Sequence, residues 1–449
     1  MPCTSSFAGE GSDRVLLATV SVFLPGAVTA PAHFLLYPLY LFPEQNSSMS
    51  HSALGFVLAS KKSEIACLQQ LLETGRLVGT ISQLIHVLQR ERGTVNIFLC
   101  SHGKLWADQL NERALQVENA EQAVGQQLAA LDLSGQGVAN APRLFSRIAA
   151  VLHSLSTLPS LRGQVQAQAI SQPDAMRQYS EVIRSHLALV FEAADISGDP
   201  SISRALLAMF SFMQGKELAG QERALGAAGF AARHFDEAAH QQLQDLIDSQ
   251  ERCFQTFSGF ADPRCLAQWQ QQVNTDSSEF ERLRRIACTR MTPAEDALRW
   301  FEVTTARIDG MKTVEDSLEE SLMECCRQRI RDAQNALARQ QQDIGDIPPQ
   351  ESHYSALIPP QLSRSVLELV EQQSRQLQTL DAELTGLRAT LAGQKRVERA
   401  KGLLMQHHGL TEPQAHKTLR DMAMKQNKKL SEIAEAMLAV AEVLGKKNP

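Results

Sequence analysis

"HVLQRERGTVNIF" occupies residues 86–98. Through it and upstream of it apolar side chains recur at three- and four-residue steps: Leu68, Leu71 and Leu72, then Ile81, Leu84, Ile85 and Leu88. That period marks a helix with one buried face, not the alternation of a strand. A Glu-Arg pair, Glu91 and Arg92, followed by the small residue Gly93, breaks the apolar pattern. The same break returns in "MQGKELAGQERALGAAGF", residues 213–230, as Glu222 and Arg223 followed by Ala224. The two stretches settle the fold class as all-α. They also pose a question: why does a helical core hold an arginine at two matched places?

Further stripes run through residues 176–193, 206–219 and 297–323. Gly135-Gln136-Gly137, Pro159, Gly198-Asp199-Pro200, Pro263 and Pro293 punctuate them. Glycine ends a helix through its backbone freedom and proline through its missing N–H. Residues 49–342 are therefore expected to form one helical-bundle domain, built as two bundles joined by long helices. Composition agrees. A chain of 449 residues exceeds one ordinary core, and 21% charged with 43% hydrophobic residues suits a globular protein. Aromatics at 5% are too scarce for a β-sandwich. The eight cysteines form no C-x-x-C pair or Cys/His cluster, so they read as small buried hydrophobes in a reducing cytosol, with no metal site expected.

Residues 1–48 do not match the rest. Val15 to Phe42 is apolar, but Pro25, Pro31 and Pro38 interrupt it, whereas a membrane span needs about 20 apolar residues with few helix breakers. Glu10, Asp13 and Arg14 are the only charged side chains before it, so the start lacks the net basic character of a signal peptide. The segment reads as a mis-assigned or disordered extension, with Met49 as the true start; a hydrophobic leader is the alternative. No membrane partner is expected, and the chain is expected to be cytoplasmic.

Residues 343–362 hold Pro348, Pro349, Pro359 and Pro360 with Gly345 and read as a linker. Beyond it Val366, Val370, Gln373, Leu377, Leu380, Leu384, Leu387 and Leu391 step by four and three in alternation. That seam predicts a coiled coil over residues 363–393 and hence a homodimer; a surface helix packed on its own chain is the alternative. The tail, residues 394–449, carries eleven lysines and arginines against six acids, although the whole chain has a formal net charge of −6. A basic end on an acidic protein suits nucleic acid. Gly409 is expected to end one tail helix, Thr411 with Gln414 to open the next, and Ser431 to open a last one. The tail is thus three short helices on a coiled-coil stalk.

Adjacent helix residues point in different directions, so Glu91–Arg92 and Glu222–Arg223 are not internal salt bridges. A buried arginine needs another partner. One candidate is a small oxyanion, because a guanidinium is a planar fork that meets two oxygens at once. The other is a carboxylate on a neighbouring helix, which would tie the bundle together. No G-x-S-x-G, Walker loop or H-E-x-x-H occurs, so no enzyme is expected. His86 could suggest phosphotransfer, but a lone helical histidine is more often a packing residue.

The stretches "LIHVLQRERGTVNIFLCS", "FMQGKELAGQERALGAAGF" and "LRRIACTR" (residues 283–290) resemble the nitrate- and nitrite-sensing domain of NasR-type transcription antiterminators. The tail "RVERAKGLLMQHHGLTEPQAHKTLRDMAMKQNKKLSEIAEAML" resembles an ANTAR domain, an RNA-binding antitermination module. The resemblance runs from Met49 to the C-terminus, with the motifs in the family's order. It implies nitrate or nitrite as ligand, no cofactor, and a site built from Arg92, Arg223 and Arg284, with the adjacent Arg285 as the alternative to Arg284. It also implies binding of hairpins in a nascent leader mRNA, so that a terminator does not form. Hairpin loops expose unstacked bases, and basic helices meet the phosphates. Arg399, Lys401, Lys417, Arg420, Lys425, Lys428 and Lys429 are the candidate RNA contacts, and Ala400 and Ala423 packing positions. One departure stands out: the family commonly has an aromatic where this chain has His416 after Ala415. The competing reading is a coiled-coil sensory adaptor whose basic tail binds protein or DNA.

Overall fold

The computed structural model describes residues 45–129, 141–275, 277–289, 297–345, 360–410 and 412–445. Within them every regular element is an α-helix. The expectations for most of residues 1–48, for the Gly135–Gly137 and Pro293 breaks, for most of the 343–362 linker and for Thr411 fall outside them.

The sensor region is ten helices in order: α1 (Gln45–Cys100), α2 (Gln109–Ala129), α3 (Ala141–Leu155), α4 (Leu158–Gln166), α5 (Gln172–Ile196), α6 (Pro200–Ala232), α7 (Glu237–Phe260), α8 (Pro263–Thr275), α9 (Ser277–Ala287) and α10 (Ala297–Gly345). α1 already runs at Gln45, upstream of Met49. The starts follow capping chemistry. The Asp199 carboxylate accepts from the N–H groups of Ser201 and Ile202 ahead of α6, with Pro200 in the first turn, where it has no N–H to waste. Ser171 does the same for Asp174 at the head of α5.

Two apolar clusters fill this region. The larger gathers Ile81, Leu84, Ile85 and Leu88 of α1 with Tyr179 and Ile183 of α5, Leu206 and Phe212 of α6, and Val314 and Leu322 of α10. The smaller, at the far end of the same helices, gathers Ile97, Phe230, Phe235, Leu283, Trp300 and Phe301. α1, α6 and α10 run through both. Trp300 is fully buried, and its indole N–H donates to the Arg223 carbonyl at 2.9 Å. A ring of this size contributes about 3–5 kcal/mol on the scale of Trp→Ala truncations.

The tail begins with α11 (Pro360–His408), followed by α12 (Glu412–Gln426) and α13 (Leu430–Gly445). Ala400, Leu404, Ala415, Leu419, Ile433 and Ala434 form its own small core. Gly409 ends α11 with φ +63°, as a C′ residue should. Ser431 lies inside α13 instead of capping it: the Glu432 carboxylate accepts from the Lys429 N–H, which moves the helix start upstream. The predicted stalk and first tail helix are one unbroken helix. Along its seam Leu384, Leu387 and Leu391 are buried, while Leu377 is 57% exposed. The same helix packs its lower half on its own chain, while Leu377, farther up the seam, faces outward.

Candidate anion-binding site

α1 and α6 cross where both carry small residues, and each sends an arginine against the other's backbone. A Cβ on Gly93 would sit 2.7 Å from Nη2 of Arg223, and one on Gly220 would sit 2.5 Å from Nη2 of Arg92. The glycines therefore make room for two guanidiniums. Arg92 is 1% exposed and Arg223 3%.

The two arginines are partnered differently. Arg92 presents its fork to Glu217 of α6: Nη1 donates to Oε1, and Nη2 to Oε2 at 3.0 Å. Nη1 also donates to Ser180 Oγ of α5 at 2.9 Å. The Glu217 carboxylate further accepts from Gln89 and Gln221, each at 2.9 Å. Arg223 has neutral partners: Thr305 Oγ1 at 2.9 Å, the Gln89 carbonyl at 3.3 Å, and the face of Phe301, 4.6 Å from its guanidinium carbon. No carboxylate among the described residues lies within ion-pair distance of it. Burial, then the positive charge of Arg92, pulls its pKa down to about 10. It stays charged at neutral pH, so two buried cations share one buried anion. An unpaired buried charge is costly, and this one is positive.

Arg284 of α9 is placed elsewhere. It forks onto Glu222 at 2.7 and 2.9 Å and lies over Phe280 at 5.0 Å. Glu222 also accepts from Gln250 of α7 at 2.6 Å. Arg284 therefore reaches the residue beside Arg223 and not the Arg92–Glu217 contact, and its neighbour Arg285 is exposed. Glu91, the partner of Arg92 in sequence, faces away and accepts from Arg162 at 2.7 Å and from the Tyr179 hydroxyl at 3.0 Å. Arg92 and Arg284 thus tie helices together through carboxylates, whereas Arg223 is held by neutral groups. His86 is half-buried and stays neutral; burial, then the charge of Lys216, lowers its pKa to about 3.

Sequence reasoning missed Glu217, Gln89, Thr305 and Phe301. The available signal was Gly93 and Gly220, since close approach in a helix interior demands something bulky opposite.

The tail is docked on this region. α11 packs against α6 and α1, and α12 against α7. Lys395 meets Glu192 and Asp195 of α5 at 3.4 and 3.3 Å. Arg420 meets Asp248 of α7 at 3.0 Å, and Arg252 of α7 reaches His416 Nδ1 at 3.4 Å. A cavity of about 440 Å³ lies between the two parts, with Gln214 and Leu218 on one wall and Lys401 and His416 on the other. Of the seven candidate RNA contacts, Arg399, Lys425, Lys428 and Lys429 are exposed, and Lys417 and Arg420 are half-buried. Lys401 is buried between Glu398 and Glu412 at 2.7 and 2.8 Å, and those carboxylates raise its pKa. His416, the departure from the family pattern, is held neutral with a pKa lowered to about 3 by burial first and by Lys401 next.

These features define an all-α regulator: a bundle with buried, under-compensated arginines, docked to a small basic helical head. Residues 83–323 match the family model described as nitrate and nitrite sensing, and residues 385–438 match the ANTAR domain. The chain is 40% identical over 376 residues to the nitrate regulatory protein of Klebsiella oxytoca, covering 83% of this chain and 91% of that one. It is 39% identical over 79 residues to the transcriptional regulatory protein PdtaR of Mycobacterium tuberculosis, covering 18% of this chain and 37% of that one. The solved structure of the NasR transcription antiterminator aligns with a TM-score of 0.56 at 37% identity, covering 87% of this chain and 100% of that one. The chain belongs to the nitrate- and nitrite-sensing family of regulators, in the group that carries an ANTAR domain. No helix among the described residues is long and apolar enough to cross a membrane.

Proposed function

We infer that this chain is a nitrate- or nitrite-responsive regulator that binds leader mRNA hairpins and prevents transcription termination. The observation that carries the reading is Arg223: a buried cation without a carboxylate partner, beside a second arginine, on helices that also touch the tail. A planar monoanion bridging Arg92 and Arg223 supplies the missing charge. Arg284 braces the site from outside by holding Glu222 in place.

The route to the output is short. α5 carries Ser180 at the site and Glu192 and Asp195 at the tail. α6 carries Glu217 and Arg223 at the site, with Gln214 and Leu218 facing the tail. Binding that prefers one arrangement of these helices shifts the population in which the tail is released. Release exposes Lys417 and Arg420, which then join Arg399, Lys425, Lys428 and Lys429 on the RNA phosphates. Lys401 serves the fold of the tail itself. The proposed division is a sensor at residues 49–342, a linker at 343–362, a coiled coil at 363–393 and the ANTAR-like head at 394–449. The open part of the α11 seam around Leu377 pairs with a second copy, and the protein acts in the cytoplasm.

The test is isothermal titration of nitrate into the full chain, beside Arg92→Ala, Arg223→Ala and Arg284→Gln. The expected result is binding by the wild type, none by the first two variants at unchanged helicity, and weakened binding by the third. Affinity for a leader hairpin then rises with nitrate and falls with salt. No nitrate heat in the wild type refutes the reading, and a tail that prefers duplex DNA replaces it with the adaptor.

A further inference from the structure

The site contains an anion of its own. The two oxygens of Glu217 lie where a guanidinium fork meets a planar oxyanion, and Arg92 spends both of its terminal nitrogens on them. A carboxylate and nitrate present the same feature to such a fork, two coplanar oxygens sharing one negative charge. Glu217 is held in that seat, since Gln89 and Gln221 each donate to it at 2.9 Å. Arg223, next to it, keeps only uncharged partners. A nitrate ion that touches both arginines in the plane of the Arg92 fork cannot do so while Glu217 fills it.

We propose that Glu217 is an internal competitor that occupies the ligand's place in the empty state, and that nitrate binds by taking the Arg92 fork from it. The proposal rests on the nitrate reading above and says what sets the affinity. With Glu217 seated, one buried anion serves two buried cations. With nitrate bound across both arginines, two anions serve two cations, and the displaced carboxylate keeps Gln221, its neighbour one turn along α6. The charge deficit drives the exchange, and the need to unseat Glu217 limits it. The competitor also links occupancy to movement. Leu218, the next residue, lines the cavity beneath the tail, so unseating Glu217 disturbs the part of α6 on which the tail rests.

The experiment is nitrate titration of the full chain by calorimetry, for the wild type, Glu217→Gln and Glu217→Asp, with melting followed by circular dichroism. Glu217→Gln removes the competing charge at constant shape, and nitrate is expected to bind at least about tenfold more tightly. Glu217→Asp keeps the charge on a shorter stem that no longer spans the fork, and an intermediate affinity is expected; it serves alone if the glutamine variant does not fold. Formate, the excised carboxylate, is expected to compete with nitrate in Glu217→Gln and not in the wild type. Nitrate binding by the wild type with equal or weaker binding by both variants overturns the proposal and leaves the nitrate reading standing. Absence of nitrate binding in all three proteins removes both.

Discussion

Substituting Glu315 by leucine would strand a charge, and the structure says how much that costs. Lys216 and Glu315 are both 0% exposed and meet at 2.6 Å. Their dependence on each other is unequal. Glu315 also accepts from Ser82 at 2.5 Å and from Lys312 at 3.3 Å, whereas Lys216 has Glu315 as its one ion-pair partner among the described residues. Losing one partner of a buried pair costs about 3–5 kcal/mol. An independent ceiling comes from letting Lys216 give up its proton. From an ordinary pKa of about 10.4 down to pH 7, at about 1.4 kcal/mol per unit, that is about 4–5 kcal/mol. The two figures agree, so the variant is expected to fold with a neutral Lys216. The sign follows. Below pH ~10 the unfolded chain binds one more proton than the folded variant, so the variant's stability rises with pH by about 1.4 kcal/mol per unit. Urea unfolding of wild type and Glu315→Leu at pH 7, 8 and 9 is the assay, and the gap between them should shrink along the series. Adding Lys216→Met should restore most of the loss, because an apolar pair of similar volume removes the stranded charge. A gap independent of pH, or a double variant no better than the single one, would refute the reasoning.

Two further outcomes follow from the geometry. Gly93→Ala adds helix propensity of about 1 kcal/mol but sets a Cβ 2.7 Å from Nη2 of the buried, hydrogen-bonded Arg223 and 3.2 Å from the Phe301 ring, so nitrate affinity should fall and melting with it; retained binding would contradict this placement. Asp248→Lys replaces the exposed pair with Arg420 by a repulsion, weakening tail docking by about 1 kcal/mol. Nitrate-free affinity for a leader hairpin, read by gel shift at fixed salt, should then rise about fivefold, and an unchanged affinity would place the docking energy elsewhere.

Periodicity carried the fold because helices announce themselves locally. The stripe from Ile81 to Leu88 is buried along its whole length, and the proline and glycine breaks at Pro159, Pro200, Pro263 and Gly409 fall at helix ends. The site was legible only in part. Arg92 and Arg223 were visible as charges out of place, and the structure brings them together. Which carboxylate each would meet depends on how α1, α6 and α9 cross, and a crossing angle leaves no local mark. For the same reason Glu217 was invisible: Lys216, Glu222 and Arg223 of the same helix are buried as well, and nothing local says which of them meets Arg92. Lys401 looked like any other basic residue of the tail until Glu412, from the next helix, closed over it. The α13 start moved because Glu432 could cap from within, a choice that Ser431 alone did not reveal.

The unbroken run of α11 has a mechanical consequence. Forty-nine residues of continuous helix form a rod about 70 Å long. Leu377 lies along one part of it and the compact head at its end, with no joint between them. A tilt of about 5° at the seam sweeps the head through roughly 6 Å, more than the reach of an ion pair such as Lys395 with Asp195. In the proposed dimer, pairing of two copies along the seam and seating of each head on its own bundle therefore cannot be adjusted separately. Whatever would fix the angle of one rod against the other in that proposed pair would also decide whether both heads can rest.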